Sequence, residues 1–190
     1  MPKTLDVEKQ RFTFDDEWKI ALKYDDTACY REGIERLKGE IDKVPQSTRA
    51  VDVLALHTTA GLLMMEVKDF RGHRIANKHR ITNKEVILEA ALKIRDTVAG
   101  LVGAAREVSG EFNTAAISAA YGPGKELLVV LWLEDDASED PRKWKAQLDV
   151  LTQELKTKVR WLHAKCFVVS GSLHRLPGLS VTNLPGAGQS

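Results

Sequence analysis

Three observations predict an α/β fold, a mixed β-sheet flanked by helices. Two apolar runs, residues 51–56 and 62–68, are joined by a link of turn length that contains a glycine, which reads as a strand hairpin. A long apolar stripe at helical spacing follows them. A third run, residues 127–133, is almost wholly apolar and is followed by another helical stripe. Strands that alternate with amphipathic helices bury their faces by layering, sheet against helix.

Taken in order, residues 1–17 are polar and mixed. Asp25, Asp26 and Thr27 are good helix N-cap residues, and Tyr30, Ile34, Leu37 and Ile41 continue at helical spacing until Pro45 stops the helix. The hairpin strands come next. A third, shorter strand is expected near residues 73–75 or 80–82. Asn83 is placed as the cap of a long helix whose stripe is Ile87, Ala90, Ala91, Ile94, Val98, Leu101 and Val102, reaching about Arg106. Residues 114–121 suit a short helix and residues 122–124 a turn. Residues 127–133 form a central strand. Residues 141–158 carry a stripe of Trp144, Leu148, Leu151 and Leu155. The last strand centres on Cys166, Phe167, Val168 and Val169. This organises the chain as one domain over residues 1–176, with a loose tail over residues 177–190 rich in Gly, Pro, Ser and Asn.

Composition narrows the function. Of 190 residues, 43% are hydrophobic and 29% charged, the mix of a soluble globular domain. A net charge of +1 excludes a wholly basic nucleic-acid coat protein but permits a local basic face. Cys29 and Cys166 match no zinc or redox spacing and fit a reducing compartment. The N-terminus lacks a signal-peptide apolar core, and no apolar run reaches the ~20 residues of a membrane span, so a cytoplasmic location is expected. Glycine-rich phosphate loops and serine nucleophile elbows are absent.

The chemistry concentrates in the hairpin. Glu66 and Lys68 are two apart on one strand and share a face, and the hairpin can bring Asp52 beside them. Two carboxylates and an ammonium in apolar strands are costly unless compensated. A hard divalent cation held by carboxylate oxygens compensates them, and such a cation serves phosphodiester cleavage. Lys68 can stabilise the developing negative charge or orient and deprotonate the water.

Asp52, thirteen intervening residues and then Glu66-Val67-Lys68 resemble the signature of the PD-(D/E)xK nucleases, the restriction-endonuclease-like superfamily. The phrase from Glu66 to Gly72 also resembles small bacterial members of that group. Val51 stands where the family often has proline. The resemblance covers about residues 25–170. It implies an αβββαβ core, a Mg²⁺- or Mn²⁺-dependent nuclease with Asp52 and Glu66 as metal ligands and Lys68 as catalytic partner, and DNA in preference to RNA. It also implies that the first helix can add an acid, for which Glu32 and Asp26 are the candidates. An N-cap role competes for Asp26, and a solvated face or a pair with Arg36 competes for Glu32.

Residues 70–84 hold no acidic residue and carry Arg71, Arg74, Lys78, Arg80 and Lys84, a candidate phosphate-binding segment or a solvated charged loop. Glu89 and Lys93 are an i,i+4 pair that reads as helix support, with Lys93 also able to reach the site. The expected activity is therefore metal-dependent hydrolysis of nucleic acid, with a homodimer as a possible assembly for cutting both strands. Two readings of other classes stand beside it: a catalytically silent nucleic-acid-binding or interaction module on the same fold, and an ion-paired structural protein.

Overall fold

A computed structural model describes residues 1–34, 49–105, 126–136, 140–171 and 173–185. Five strands form the main sheet in the order β3 (Trp18–Lys23), β4 (Val53–His57), β5 (Gly61–Asp69), β6 (Leu127–Glu134) and β7 (Lys165–Val169). β3, β4 and β5 alternate in direction as an antiparallel meander, and β5, β6 and β7 are mutually parallel. A smaller antiparallel sheet contains β1 (Lys3–Val7), β2 (Gln10–Phe14) and β8 (Leu179–Asn183). The helices are α1 (Arg74–Thr82), α2 (Glu85–Ala104) and α3 (Pro141–Lys158).

Strand parity sorts the core into two layers. On β5, Leu62 and Met64 face α2 and α3, where Ile87, Ala90, Ile94, Leu148, Leu151 and Leu155 meet them. Leu63, Met65 and Val67 face the other way, onto Phe12, Phe14 and Leu179 of the small sheet. Phe12 meets Trp132 edge-on at 5.0 Å between ring centroids. The main sheet is thus covered on both faces, and this is why β5 and β6 are apolar at nearly every position.

The hairpin between β4 and β5 is held by its own residues. The buried His57 Nδ1 lies 3.1 Å from the backbone N–H groups of both Thr59 and Ala60 and accepts from them. Gly61 has φ +90°, and a Cβ there would lie 1.9 Å from the Glu126 carbonyl oxygen, so only glycine fits.

Several expectations are corrected. Residues 1–17, read only as polar and mixed, form two strands, β1 and β2, and in β2 Phe12 and Phe14 alternate with polar residues; β3 follows at Trp18. The tail is not loose between Leu179 and Asn183, because that segment pairs with β2 as β8. No short strand occupies residues 73–75 or 80–82. The segment RIANKHRIT lacks period-two alternation and forms α1. Asn83 closes α1, donating its N–H to the His79 carbonyl at 2.7 Å, and Lys84 in the left-handed region (φ 61°) starts α2. The third strand of the antiparallel meander therefore precedes Asp52, as β3.

The first helix begins differently as well. A 3₁₀ turn, Tyr24–Asp26, leads into a π-helix, Cys29–Ile34. Thr27, and not Asp26, caps it, with Thr27 Oγ1 accepting from Tyr30 N at 3.3 Å. The expected continuation through Leu37 and Ile41, the short helix at 114–121, the turn at 122–124 and Arg106 lie outside the described residues. The helix from Pro141 is present as expected, capped by Asp140. No described helix is long and apolar enough to cross a membrane.

Candidate active site

At the carboxyl end of β5, the helix-facing row of side chains changes from apolar to charged. Leu62 and Met64 give way to Glu66 and then Lys68. Glu66 is fully buried, at 0% exposure. Its Oε1 lies 3.0 Å from Lys68 Nζ and 2.7 Å from Lys93 Nζ of α2, while Oε2 has no hydrogen-bond partner among the described residues. The two ammonium groups are close to Oε1 without the alignment of good hydrogen bonds, so they compensate its charge but leave its lone pairs poorly used.

Asp52 precedes β4 and lies opposite Glu66 by extension of the hairpin register, in which Val53 faces Met65. Its Oδ2 accepts the Val67 N–H at 2.7 Å, and its Oδ1 lies 3.2 Å from Lys93 Nζ. Its carbonyl accepts Tyr24 N, which ties the end of β3 to the same point. The structure therefore brings Asp52, Glu66 and Lys68 onto one face, and both carboxylates touch the same ammonium nitrogen.

The network continues outward along α2. Lys68 Nζ donates to Glu89 Oε1 at 2.8 Å, and Arg80 reaches Glu89 Oε2 at 2.8 Å. Arg49 lies 3.8 Å from Glu89. Glu89 and Lys93 are thus not partners in simple helix support. One turn apart on α2, they enter the site separately, Glu89 against Lys68 and Lys93 against Asp52 and Glu66.

Titration behaviour follows from this geometry. Burial, reinforced by Asp52, pushes the Glu66 carboxyl up to about 7 in spite of Lys93 and Lys68. Burial opposes the charge on Lys68, but Glu66 and Glu89 outweigh it and hold its pKa above the ordinary lysine value. Lys93 is raised in the same way, by Glu66 and Asp52 against burial. Burial raises Glu89, yet Lys68, Arg80 and Lys93 more than reverse that and leave it lowered.

Neither acid named for the first helix is buried at the site. Asp26 is exposed and pairs with Arg31 and Lys23, and Glu32 is exposed. Asp25 instead turns toward the site. Its Oδ1 is buried without a partner among the described residues, and its pKa is raised by burial and by Asp52. Asp25 and Asp26 are adjacent in sequence, and the phase of the 3₁₀ turn decides which of the two faces inward.

The basic segment divides. Arg71 turns to the other face of the sheet, where its Nε donates to Asp69 Oδ1 at 2.9 Å and its Nη1 to Asn183 of β8 at 2.6 Å. Arg80 lies over the Phe70 ring, 5.2 Å from its centroid, while holding Glu89. Lys84 pairs with Glu154. Lys78 is exposed on α1, and the side chain of Arg74 lies outside the described residues.

Among the described residues, no three His, Cys, Asp or Glu side chains converge in the manner of an all-protein metal cage. The donor set nevertheless fits a Mg²⁺-like ion, which keeps several waters and needs only one or two carboxylates. Asp52 and Glu66 already enclose a cationic nitrogen, and Glu66 Oε2 is an acceptor with no donor among the described residues. The chain matches no protein-family profile, no curated protein and no solved structure.

Proposed function

We propose that the chain is a divalent-cation-dependent nuclease of the PD-(D/E)xK type, hydrolysing phosphodiester bonds in DNA. One observation carries the reading: two carboxylates, Asp52 just before β4 and buried Glu66 on β5, converge on a single cationic nitrogen, with Lys68 on the same face. The strand order supports the family resemblance. An antiparallel meander, β3–β4–β5, is followed by the long helix α2 and then by β6, parallel to β5. The preference for DNA rests on that resemblance.

Asp52 and Glu66 would hold Mg²⁺ or Mn²⁺, with Asp25 beside them. The cation, when bound, neutralises phosphoryl oxygens and lowers the pKa of water. Lys68 contributes as a fixed positive charge. Glu89 and Glu66 keep it protonated, so its part is to stabilise negative charge developing on the phosphate and not to remove a proton. Arg80 and Phe70 position Glu89, and Glu89 positions Lys68.

A second reading, a silent nucleic-acid-binding module, is favoured by one feature: Lys93 already balances both carboxylates. Plasmid nicking by wild type, Glu66→Ala and Lys68→Ala in Mn²⁺ separates the two. The nuclease reading expects Lys68→Ala to lose about 10² to 10³ in rate while still binding Mn²⁺. Lys68→Ala nicking as fast as wild type would remove Lys68 from the chemistry. Mn²⁺ and DNA binding by wild type without cleavage would establish the silent module.

A further inference from the structure

The nitrogen that Asp52 and Glu66 enclose belongs to the protein itself. Lys93 Nζ lies 3.2 Å from Asp52 Oδ1 and 2.7 Å from Glu66 Oε1. An ammonium and a divalent ion cannot share that position, because at such range their repulsion in a half-buried setting is severe. Lys93 also has somewhere else to go. It is carried on a four-carbon stem from α2, and Glu89 stands one helical turn away on the same helix, at the i,i+4 spacing that long side chains bridge. Glu89 is less deeply buried than Glu66, and it already feels the Lys93 charge.

We propose that Lys93 is an internal placeholder for the cation: its ammonium occupies the position between Asp52 and Glu66 and, when the divalent ion enters, swings along α2 toward Glu89. This rests on the nuclease reading of the site and adds to it a two-position residue. With the ion absent, Lys93 supplies the one ammonium that touches both the partly buried Asp52 and the buried Glu66 among the described residues. With the ion present, its charge moves to the mouth of the site, beside Lys68, Arg80 and Arg49, where a phosphate backbone would approach. The occupant exchanges one cation for another, so Asp52 and Glu66 face a positive charge in both conditions. Lys68 does not play this part, because Glu89 holds it in place and it makes no contact with Asp52 among the described residues.

Two measurements on the chelator-stripped full chain test this. The first is acylation of lysines in wild type, read by peptide mass spectrometry with and without Mn²⁺, against Lys143 as an internal reference that is 84% exposed. Lys93 labelling is expected to rise several-fold on Mn²⁺ addition while Lys143 labelling stays constant. The second is Mn²⁺ titration of wild type and Lys93→Met, followed by the paramagnetic signal of free Mn²⁺. The variant is expected to bind about tenfold more tightly or better, since the ion no longer has to displace a charge. If Lys93→Met does not fold, the wild-type labelling decides alone. Mn²⁺ binding by wild type with unchanged Lys93 labelling overturns the placeholder and leaves the metal site standing. Absence of Mn²⁺ binding in both proteins overturns the placeholder and the nuclease reading together.

Discussion

The carboxyl end of β5 places two buried carboxylates on opposite faces of one sheet, and they are treated very differently. Glu66 faces the helices and Asp69, three residues on, faces the small sheet; both side chains are fully buried. Asp69 is satisfied by its sequence neighbour. Arg71 donates to Asp69 Oδ1 from its backbone N–H at 3.0 Å and from Nε at 2.9 Å, and its guanidinium reaches Oδ2 as well. Glu134, beside Asp69 on β6, accepts on Oε1 from Gln10 Nε2, Trp132 Nε1 and Gly171 N. Glu66 has two cations crowded on one oxygen and, among the described residues, no donor on the other. A buried acceptor left without a donor costs about 1–3 kcal/mol. Burial alone therefore does not distinguish structure from function here. What distinguishes them is whether the donors come from nearby rigid backbone and forked guanidinium, as on the small-sheet face, or from two lysine ammonium groups crowded on one oxygen.

The largest test of that contrast is stability. Asp69→Ala removes the counter-charge of a half-buried guanidinium and loosens the strap from Arg71 to Asn183 of β8. It should cost about 3 kcal/mol in urea unfolding, near the low end for breaking a buried pair, and leave Mn²⁺ affinity unchanged. A stability within 0.5 kcal/mol, roughly the ordinary surface range, would show that the small-sheet face is not held in this way. Glu66→Gln should act in the opposite direction. The Glu66 carboxyl titrates near 4.5 when unfolded and near 7 when folded, so between those values the folded state binds more protons. Wild-type stability in chelator therefore falls as pH rises from about 4.5 to about 7 and levels off above. Glutamine cannot ionise, so Glu66→Gln should be the more stable protein at pH 8, by up to roughly 3 kcal/mol, and close to wild type at pH 4. Part of the slope persists in the variant, because the raised Asp25 carboxyl contributes with the same sign. Parallel pH profiles for the two proteins would place the origin of the slope outside Glu66.

What the sequence disclosed depended on how far each signal had to travel. Glu66 and Lys68 share a face by parity alone, and the short hairpin leaves Asp52 little freedom, so those three residues could be brought together without a structure. The strand at Leu127–Glu134 and the helix at Pro141–Lys158 were equally plain, since each has a long uniform pattern. The small sheet was missed although Phe12 and Phe14, and Leu179 and Val181, alternate at period two. Each strand is only five residues long and more than half polar, and β2 and β8 pair across almost the full length of the chain. Glu89 could be read only as helix support, and Lys93 as able to reach the site only as an alternative, because i,i+4 spacing describes a helix surface and carries no information on what packs against it. Asp25 was passed over for Asp26 because the turn at Tyr24–Asp26 is 3₁₀, which changes the direction of each side chain from that of an α-helical start.

The smallest effect divides the basic segment in the same way as the carboxylates. Arg71 belongs to the satisfied face and is committed to Asp69 and Asn183. Arg80 belongs to the other face and is committed to Glu89 and Phe70. Lys78 lies exposed on α1 and belongs to neither cluster. A phosphate contact made by one lysine releases about one counterion, so the log–log dependence of DNA affinity on salt should lose about 0.9 units of slope when that contact is removed. Lys78→Glu should produce that change with stability within about 0.5 kcal/mol of wild type, as expected for an exposed substitution. Arg71→Glu should lose stability first, placing a second carboxylate beside buried Asp69, and so cannot report on DNA at all. A fluorescence-anisotropy titration of a short DNA duplex across several salt concentrations, with urea unfolding in parallel, makes the comparison. An unchanged slope for Lys78→Glu would remove α1 from the nucleic-acid surface and leave any phosphate contacts to the mouth of the site, where Arg49 and Arg80 flank Glu89.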